Sequence, residues 1–317
     1  MTGATGMFGS LLADVLLGKA EEYGFTVAAL SRHGKAIEER FSDFVGKGYF
    51  EIIEQDVNMP FADRGVFDSI FECASNTCPE QYAGDPIGTV MTNISGLKNS
   101  LDVFSGEKGG RFVFTSSVEI YGQNRGDVGK FSEDYCGYID CNTVRAGYNE
   151  SKRAGESLCQ AYGAVKDIDF IIPRISRSYG PTLRDSDNKA LSQFIRNAVS
   201  GEDIVLKSAG TQLYSYVYSA DAVDAILFLF FNGIRGEAYN VSGREPNLTL
   251  KEIAEALADI AGTQLRFEQV SEEENRGYSK ATTAVLDISK IKKLGWEPRF
   301  GMEEGLRRAV SSFCECR

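Results

Sequence analysis

The sequence predicts an α/β fold: a doubly wound parallel sheet with helices on both faces and a smaller α/β lobe. Three observations predict it. Short apolar or β-branched runs alternate with amphipathic stretches, a glycine-rich segment sits at the mouth of the first helix, and the rhythm changes beyond Pro173.

The first helix carries Leu11, Leu12, Val15 and Leu16 on one face. Strands are then expected at Thr26–Leu30, Phe50–Gln55, Ser69–Ala74, Arg111–Thr115 and Asp169–Pro173, each a short run of β-formers. Tyr148-Asn149-Glu150-Ser151-Lys152 opens another helix. Past the turn Tyr179-Gly180-Pro181, helices are expected near 189–200 and 220–231, then a short strand at Ala238–Val241. Leu250, Ile253, Ala254, Leu257 and Ile260 mark one face of a further helix, and the last runs from about Met302 to Cys314. No internal repeat or low-complexity linker interrupts this order, so two closely packed lobes are expected. Residues 1–175, with a returning segment near 218–243, form the sheet-bearing domain. Residues 176–217 and 244–317 form the second lobe.

Composition excludes several classes of function. With 34 Lys plus Arg against 45 Asp plus Glu, the net charge of −11 repels a phosphate backbone and argues against nucleic acid as partner. The longest apolar run, Ala225–Phe231, is far short of the roughly 20 residues a membrane helix needs. The seven cysteines, Cys73, Cys78, Cys136, Cys141, Cys159, Cys314 and Cys316, are an odd number spread over a long chain and read as free thiols in a reducing cytoplasm. A zinc site would need more soft ligands, and His33 is the only histidine, so no metal is expected. The same single histidine counts against a Ser/His/Asp hydrolase.

Thr2–Ser10 reads TGATGMFGS, placing Gly3, Gly6 and Gly9 around Met7 and Phe8 at the helix mouth. Glycines there allow close approach of a pyrophosphate, whose charge the amides of the helix start then hold. The end of the next strand, which reads the adenosine ribose in such folds, falls on Ser31-Arg32. A missing carboxylate beside an arginine suits a 2′-phosphate, whereas Arg32 stacked on adenine or in solvent suits NAD, and both readings stay open. The loop ordinarily follows an apolar strand that is central to the sheet. Here it begins at Met1, and the expectation is a start upstream of the given sequence.

After the Arg111–Thr115 run comes the polar cluster Thr115-Ser116-Ser117-Val118-Glu119-Ile120-Tyr121-Gly122, at a strand's carboxyl edge where ligands of open α/β sheets bind. The spacing of four between Tyr148 and Lys152 puts phenol and ammonium on one helix face. A nearby ammonium and an oxidised nicotinamide are expected to lower the phenol from its ordinary value near 10.

In these residues the chain resembles the extended short-chain dehydrogenase/reductase family, in particular its nucleotide-sugar epimerases, dehydratases and decarboxylases. The likeness spans nearly the whole chain. It adds Gln55-Asp56-Val57, Asn93 in TNISG, Tyr179-Gly180-Pro181 and Leu294-Gly295-Trp296-Glu297-Pro298. It implies a Rossmann-type domain that holds NAD or NADP tightly, with Asp56 and Val57 at the adenine and Cys73, Ala74, Ser75 and Asn93 along the cofactor. By resemblance, Tyr148 removes the proton of a sugar 4-hydroxyl, Lys152 lowers the tyrosine and holds the nicotinamide ribose, and Ser117 hydrogen-bonds the same hydroxyl. A homodimer through helices flanking the sheet is implied as well.

The likeness also marks departures. Glu119 matches the glutamate of 4,6-dehydratases and glucuronate decarboxylases, while epimerases tend to carry a small or neutral residue there; the alternative is a solvated loop carboxylate or an ion-pair partner. Val118 cannot protonate a leaving hydroxyl, as the aspartate of many dehydratases does. Arg177 stands where relatives commonly have a phosphate-holding asparagine, Tyr214 replaces an arginine, and Ala284-Val285-Leu286-Asp287 replaces Arg-x-Pro-Asp. Arg177 and Tyr214 are thus expected to contact the substrate, and these changes speak against UDP as the nucleotide carrier and leave CDP, GDP or dTDP open. The expected function is conversion of a nucleotide sugar through a 4-keto intermediate, decarboxylase- or 4,6-dehydratase-like. Alternatives are 4-epimerisation, a net reductase using NADPH, and a non-catalytic dinucleotide-binding sensor or scaffold.

Overall fold

The structure is a computed structural model that describes residues 1–61, 65–77, 84–106, 109–182, 187, 189–268 and 282–315. Its main sheet is built from parallel pairs. β1 (Val27–Ser31) pairs with β2 (Phe50–Glu54), and β3 (Ile70–Glu72) pairs with β4 (Phe112–Phe114). β4 and the short β5 (Ser116–Ser117) both lie against β6 (Phe170–Ile175), which in turn pairs with β11 (Ala238–Val241).

Met1 and Thr2 join β1 to β3. Leu30 N donates to Met1 O at 2.9 Å, while Thr2 N donates to Phe71 O at 3.1 Å. Thr2 Oγ1 accepts from the amides of Cys73 and Ala74, both at 3.1 Å. These two residues satisfy backbone groups at the carboxyl ends of β1 and β3, which is where the glycine loop must be held.

Strand periodicity explains how one sheet makes two cores. Val113 and Ile171 pack with Leu12, Ile226 and Leu229, under the helices Met7–Tyr23 and Ser219–Asn232. Phe112, Phe114, Phe170 and Ile172 point the other way and pack with Leu97, Leu101 and Cys159, under Leu97–Asp102 and Ala146–Lys166. Alternate residues of a strand face opposite sides, so strands covered on both faces read as unbroken apolar runs.

A separate apolar cluster lies in the carboxyl part of the chain. Leu191, Phe194 and Ile195 pack against Ile253, Leu257, Leu306 and Ala309, drawn from the helices Ala190–Ser200, Leu250–Ala261 and Met302–Glu315. The helix at 250–261 starts on a capping box: Thr249 Oγ1 accepts from Glu252 N at 3.2 Å, and Glu252 accepts from Thr249 N at 2.7 Å. Two short pairings carry side chains toward the main sheet's edge. β7 (Arg177–Tyr179) pairs with β10 (Tyr216–Tyr218), and β9 (Leu213–Tyr214) lies between β12 (Leu248–Thr249) and β14 (Thr283–Ala284), while β8 (Ile204–Leu206) pairs with β13 (Leu265–Phe267).

The elements follow the expected order with ends shifted by a residue or two, and Ala238–Val241 falls where the sequence places it. No helix among the described residues is long and apolar enough to cross a membrane. Cys78 and Cys316 lie outside the described residues, as does the side chain of Cys314. Cys73, Cys136, Cys141 and Cys159 are free thiols.

Candidate active site

The glycine loop is shaped by close backbone approach. Gly3 has φ +63°, and a Cβ on it would lie 2.7 Å from the carbonyl carbon of Cys73. A Cβ on Gly9 would lie 2.1 Å from Gly3 O, so any side chain there displaces the turn. Gly6 caps the helix Met7–Tyr23 without a side-chain hydrogen bond, leaving the first amides to an incoming anion.

One cavity of about 470 Å³ runs from this loop to the helix Ala190–Ser200 and to Tyr214 and Tyr216. Gly3, Gly6, Met7, Phe8 and Gly9 line its loop side. Ser31, Arg32, Asp56, Val57, Cys73, Ala74 and Ser75 line the strand-end side. A continuous groove over a loop that tolerates no Cβ at Gly3 or Gly9 fits a dinucleotide, with the pyrophosphate at the helix start and the adenosine toward Ser31, Arg32 and Asp56. Ser31 Oγ accepts from His33 N at 3.3 Å, and Asp56 accepts from Asn58 N at 2.9 Å, so both side chains shape their own turns.

Asn93 differs from the expectation. It is 1% exposed and does not line the cavity. Its amide donates to Ser151 Oγ at 2.9 Å, and its oxygen accepts from Ser75 Oγ at 2.8 Å. It therefore ties the loop after β3 to the helix that carries Tyr148. The π-type turn Thr92–Gly96 that presents it interrupts an otherwise helical stretch, a feature frequent at functional sites.

Ser117 and Tyr148 meet at the inner end of the cavity. Ser117 ends β5, and its Oγ accepts from Glu119 N at 3.2 Å, opening the turn Val118–Tyr121. Tyr148 is buried beside Ser117 and Ser75. Burial pushes its phenol up to about 12, although hydrogen bonds from Ser117 and Ser75 and the charge of Arg145 act in the opposite direction. The expected lowering by Lys152 is thus not what the protein's own groups produce. Lys152 Nζ donates to Thr115 O at 2.8 Å and lies 4.7 Å over the Phe114 ring, and burial pulls the ammonium down to about 8. It does not line the cavity.

Glu119 is the most constrained charge in the site. Arg145 Nη2 donates to one carboxylate oxygen at 3.0 Å and Arg177 Nη2 to the other at 3.1 Å. Burial alone would raise the carboxyl, but Arg177 and Arg145 together outweigh it and hold Glu119 below the usual carboxylate range. Arg177 in turn stacks on Tyr214, its guanidinium carbon 3.5 Å from the ring centroid. The sequence reading missed Arg145 and also Asn149, whose Nδ2 donates to Glu119 O at 2.8 Å. Arg145 stands three residues before Tyr148, a spacing that places both on one face of the helix start.

Two of the marked departures turn out to be core. Val118 is 4% exposed, and Ala284 and Leu286 pack with it, Tyr121 and Phe131. These positions supply apolar packing and no charge. At the cavity's far end Lys189 pairs with Asp187 at 3.2 Å, another feature the sequence reading did not single out. Among the described residues no cluster of metal-ligating side chains is found.

The family model described as NAD dependent epimerase/dehydratase family matches residues 1–242. UDP-glucuronic acid decarboxylase 3 of Arabidopsis thaliana is 30% identical over 307 residues, covering 96% of this chain and 86% of the relative. UDP-glucuronic acid decarboxylase 1 of Danio rerio is 28% identical over 314 residues, covering 99% and 72%. Among solved structures, UDP-glucuronic acid 4-epimerase of Bacillus cereus, in complex with UDP-glucuronic acid and NAD, has a TM-score of 0.81 at 21% identity, covering 100% of this chain and 98% of the other. The dTDP-glucose 4,6-dehydratase of Streptomyces venezuelae, with NAD and TYD bound, has a TM-score of 0.81 at 23% identity, covering 99% and 96%. At these identities the two structures speak for the Rossmann-type fold. Together with the matched family model, the glycine loop and the Ser117/Tyr148 site establish that the chain belongs to the NAD dependent epimerase/dehydratase family of enzymes.

Proposed function

We propose that this enzyme removes the C5 carboxylate of a nucleotide-linked hexuronic acid through a 4-keto intermediate. The carrying observation is Glu119 held between two guanidiniums beside Ser117 and Tyr148, with only buried Val118 where a dehydratase would need an acid. The curated UDP-glucuronic acid decarboxylases that match nearly the whole chain point the same way.

Ser117 orients the 4-hydroxyl, and Tyr148, as phenolate, takes its proton while the C4 hydrogen leaves as hydride. Bound NAD supplies the hydride acceptor at the start and the hydride donor at the end. With C4 a ketone, the carboxylate is that of a β-keto acid. The bond from C5 to the carboxyl carbon breaks, its electron pair stays as the C4–C5 enolate, and carbon dioxide departs. A proton then adds to C5, with Glu119 or water held by it in position to guide the transfer. Tyr148 returns its proton as C4 becomes a hydroxyl again. The net change is one carbon dioxide lost and one proton gained, with no net redox.

Incubation with UDP-glucuronic acid, UDP-glucose and dTDP-glucose, followed by product mass, tests this directly. Loss of carbon dioxide from the uronic acid alone is expected. Loss of water from a neutral sugar would replace the reading with a 4,6-dehydratase, unchanged mass with altered stereochemistry with an epimerase, and no conversion by folded, cofactor-loaded protein with a sensor.

The finer cofactor choice belongs to the same proposal. Arg32 is exposed at the end of β1, lines the cavity, and has no carboxylate before it in sequence. We read Ser31-Arg32 as a site that accepts a 2′-phosphate as well as a ribose hydroxyl, on a tightly held cofactor. Arg32→Ala is expected to weaken NADP binding roughly tenfold and NAD binding less than threefold by titration calorimetry, as loss of one charge-assisted hydrogen bond would do. Equal effects on both would place Arg32 on the adenine or in solvent. The division into a cofactor domain (1–175 with 218–243) and a substrate lobe, a homodimer through helices flanking the sheet, and a cytoplasmic setting without nucleic acid or membrane contact complete the proposal.

A further inference from the structure

Arg177 is more than a partner of Glu119. Its Nη2 is given to Glu119, but its Nη1 is buried and has no hydrogen-bond partner among the described residues. A buried guanidinium nitrogen without an acceptor is destabilising, so its place in the cavity wall calls for a reason. The group cannot swing away to water easily, because its plane lies on Tyr214 at 3.5 Å from the ring centroid. Both Arg177 and Glu119 line the cavity, and so does Arg145. Two guanidiniums on one carboxylate leave this cluster with a net positive charge.

We propose that Arg177 is the specificity-determining residue that reads a carboxylate on the sugar, and that Glu119 and the sugar carboxylate compete for its fork. The inference rests on the uronic-acid reading above. A planar guanidinium presents two parallel N–H groups to a carboxylate. Nη1 offers one of them outright, and Nη2 becomes available when Glu119 turns toward Arg145, which already holds its other oxygen at 3.0 Å. A neutral sugar brings no charge to exchange with Glu119, so it leaves the internal pair intact and offers Nη1 only an uncharged hydroxyl. Discrimination between uronic acid and neutral sugar thus arises from a site that contains its own competitor.

The location also separates this role from phosphate binding. Arg177 reaches Glu119, whose amide is bonded to Ser117 Oγ, and Ser117 is in hydrogen-bond contact with Tyr148. The chain of contacts leads to the reacting end of the cavity.

The test is equilibrium binding of UDP-glucuronic acid and UDP-glucose to the NAD-loaded protein in a Tyr148→Phe background, which leaves the bound sugar unconverted, measured by calorimetry beside product analysis of the Tyr148-containing protein. Arg177→Asn is expected to weaken the uronic acid roughly tenfold to a hundredfold and the neutral sugar less than threefold. Glu119→Gln, which removes the competitor's charge, is expected to tighten the uronic acid severalfold while leaving the neutral sugar unchanged. Arg177→Lys, which keeps the charge and loses the fork, should recover part of the selectivity, and melting temperatures confirm that each variant is folded. Equal weakening of both sugars by Arg177→Asn would place Arg177 on the diphosphate and overturn the proposal, as would an unchanged or weakened uronic acid in Glu119→Gln. Selective carboxylate binding without release of carbon dioxide would sink the decarboxylase reading alone. Failure of the parent protein to bind either sugar would overturn both.

Discussion

Replacing Tyr148 with phenylalanine is expected to lower turnover roughly a hundredfold to ten-thousandfold, the range contributed by a positioned general base. Binding of NAD should stay within about twofold, because the variant keeps the ring and loses only the hydroxyl facing Ser117 and Ser75. Ser117 and Ser75 remain able to bond to neighbours, so stability should change on the order of 1 kcal/mol. The pH profile makes the test specific. Burial pushes the Tyr148 phenol up to about 12, and the reacting form is the phenolate. A raised value leaves less phenolate at neutral pH, so the parent's turnover should rise with pH across the acidic and neutral range. The residual activity of the phenylalanine variant should be flat over the same range. Turnover within threefold of the parent, or a rising limb retained without the hydroxyl, would show that another group takes the proton. The positive charge of an oxidised nicotinamide would act in the same direction as Ser117, Ser75 and Arg145 and bring this phenol toward neutrality.

How far apart the interacting residues lie decides which features are legible in the sequence. β4 and β6 are legible because strands buried on both faces are written as continuous apolar runs, such as Arg111–Thr115 and Asp169–Pro173. The glycine loop is legible because its constraint is local: Gly3, Gly6 and Gly9 shape one turn. Tyr148 and Lys152 are legible as a helical spacing. The fate of their charges is not, because it depends on partners brought together only by the fold. Glu119 finds Arg145 at a separation of 26 residues and Arg177 at 58, and no local pattern connects the three. Asn93 shows the same limit from the other side. Its motif is local, but its bond to Ser151 spans 58 residues and turns it from a cavity-lining group into an internal brace. Ala284-Val285-Leu286-Asp287 reads in sequence as a lost charge. The fold shows what replaced it, an apolar contact with Tyr121 and Phe131.

Lys152→Met is the sharper prediction, because activity and stability are expected to move in opposite directions. Turnover should fall, because the family resemblance assigns the ammonium to the nicotinamide ribose, a role it reaches here by exchanging its bond to Thr115 O for one to the ribose. Stability at neutral pH should nevertheless rise. Lys152 is 2% exposed, and burial pulls its ammonium from 10.5 down to about 8, so a charged lysine inside the fold costs on the order of 3 kcal/mol below that pH. Methionine removes this cost but leaves Thr115 O, now 2.8 Å from Nζ, without its donor, which offsets about 1–3 kcal/mol. A net gain of about 1 kcal/mol corresponds, for a chain of 317 residues, to a melting temperature higher by roughly 1–2 °C. The sign with pH is fixed by the direction of the shift. Because the folded value lies below the unfolded one, the unfolded chain binds more protons between about 8 and 10.5, and the parent gains stability as pH rises through that window. The two melting curves should therefore converge and cross on going from pH 7 to pH 10, the methionine variant ending as the less stable because Thr115 O still lacks a donor. Parallel curves would mean that Lys152 titrates as an ordinary lysine. In that case its place under Thr115, between the Phe114 ring and the reacting end of the cavity, would serve packing alone.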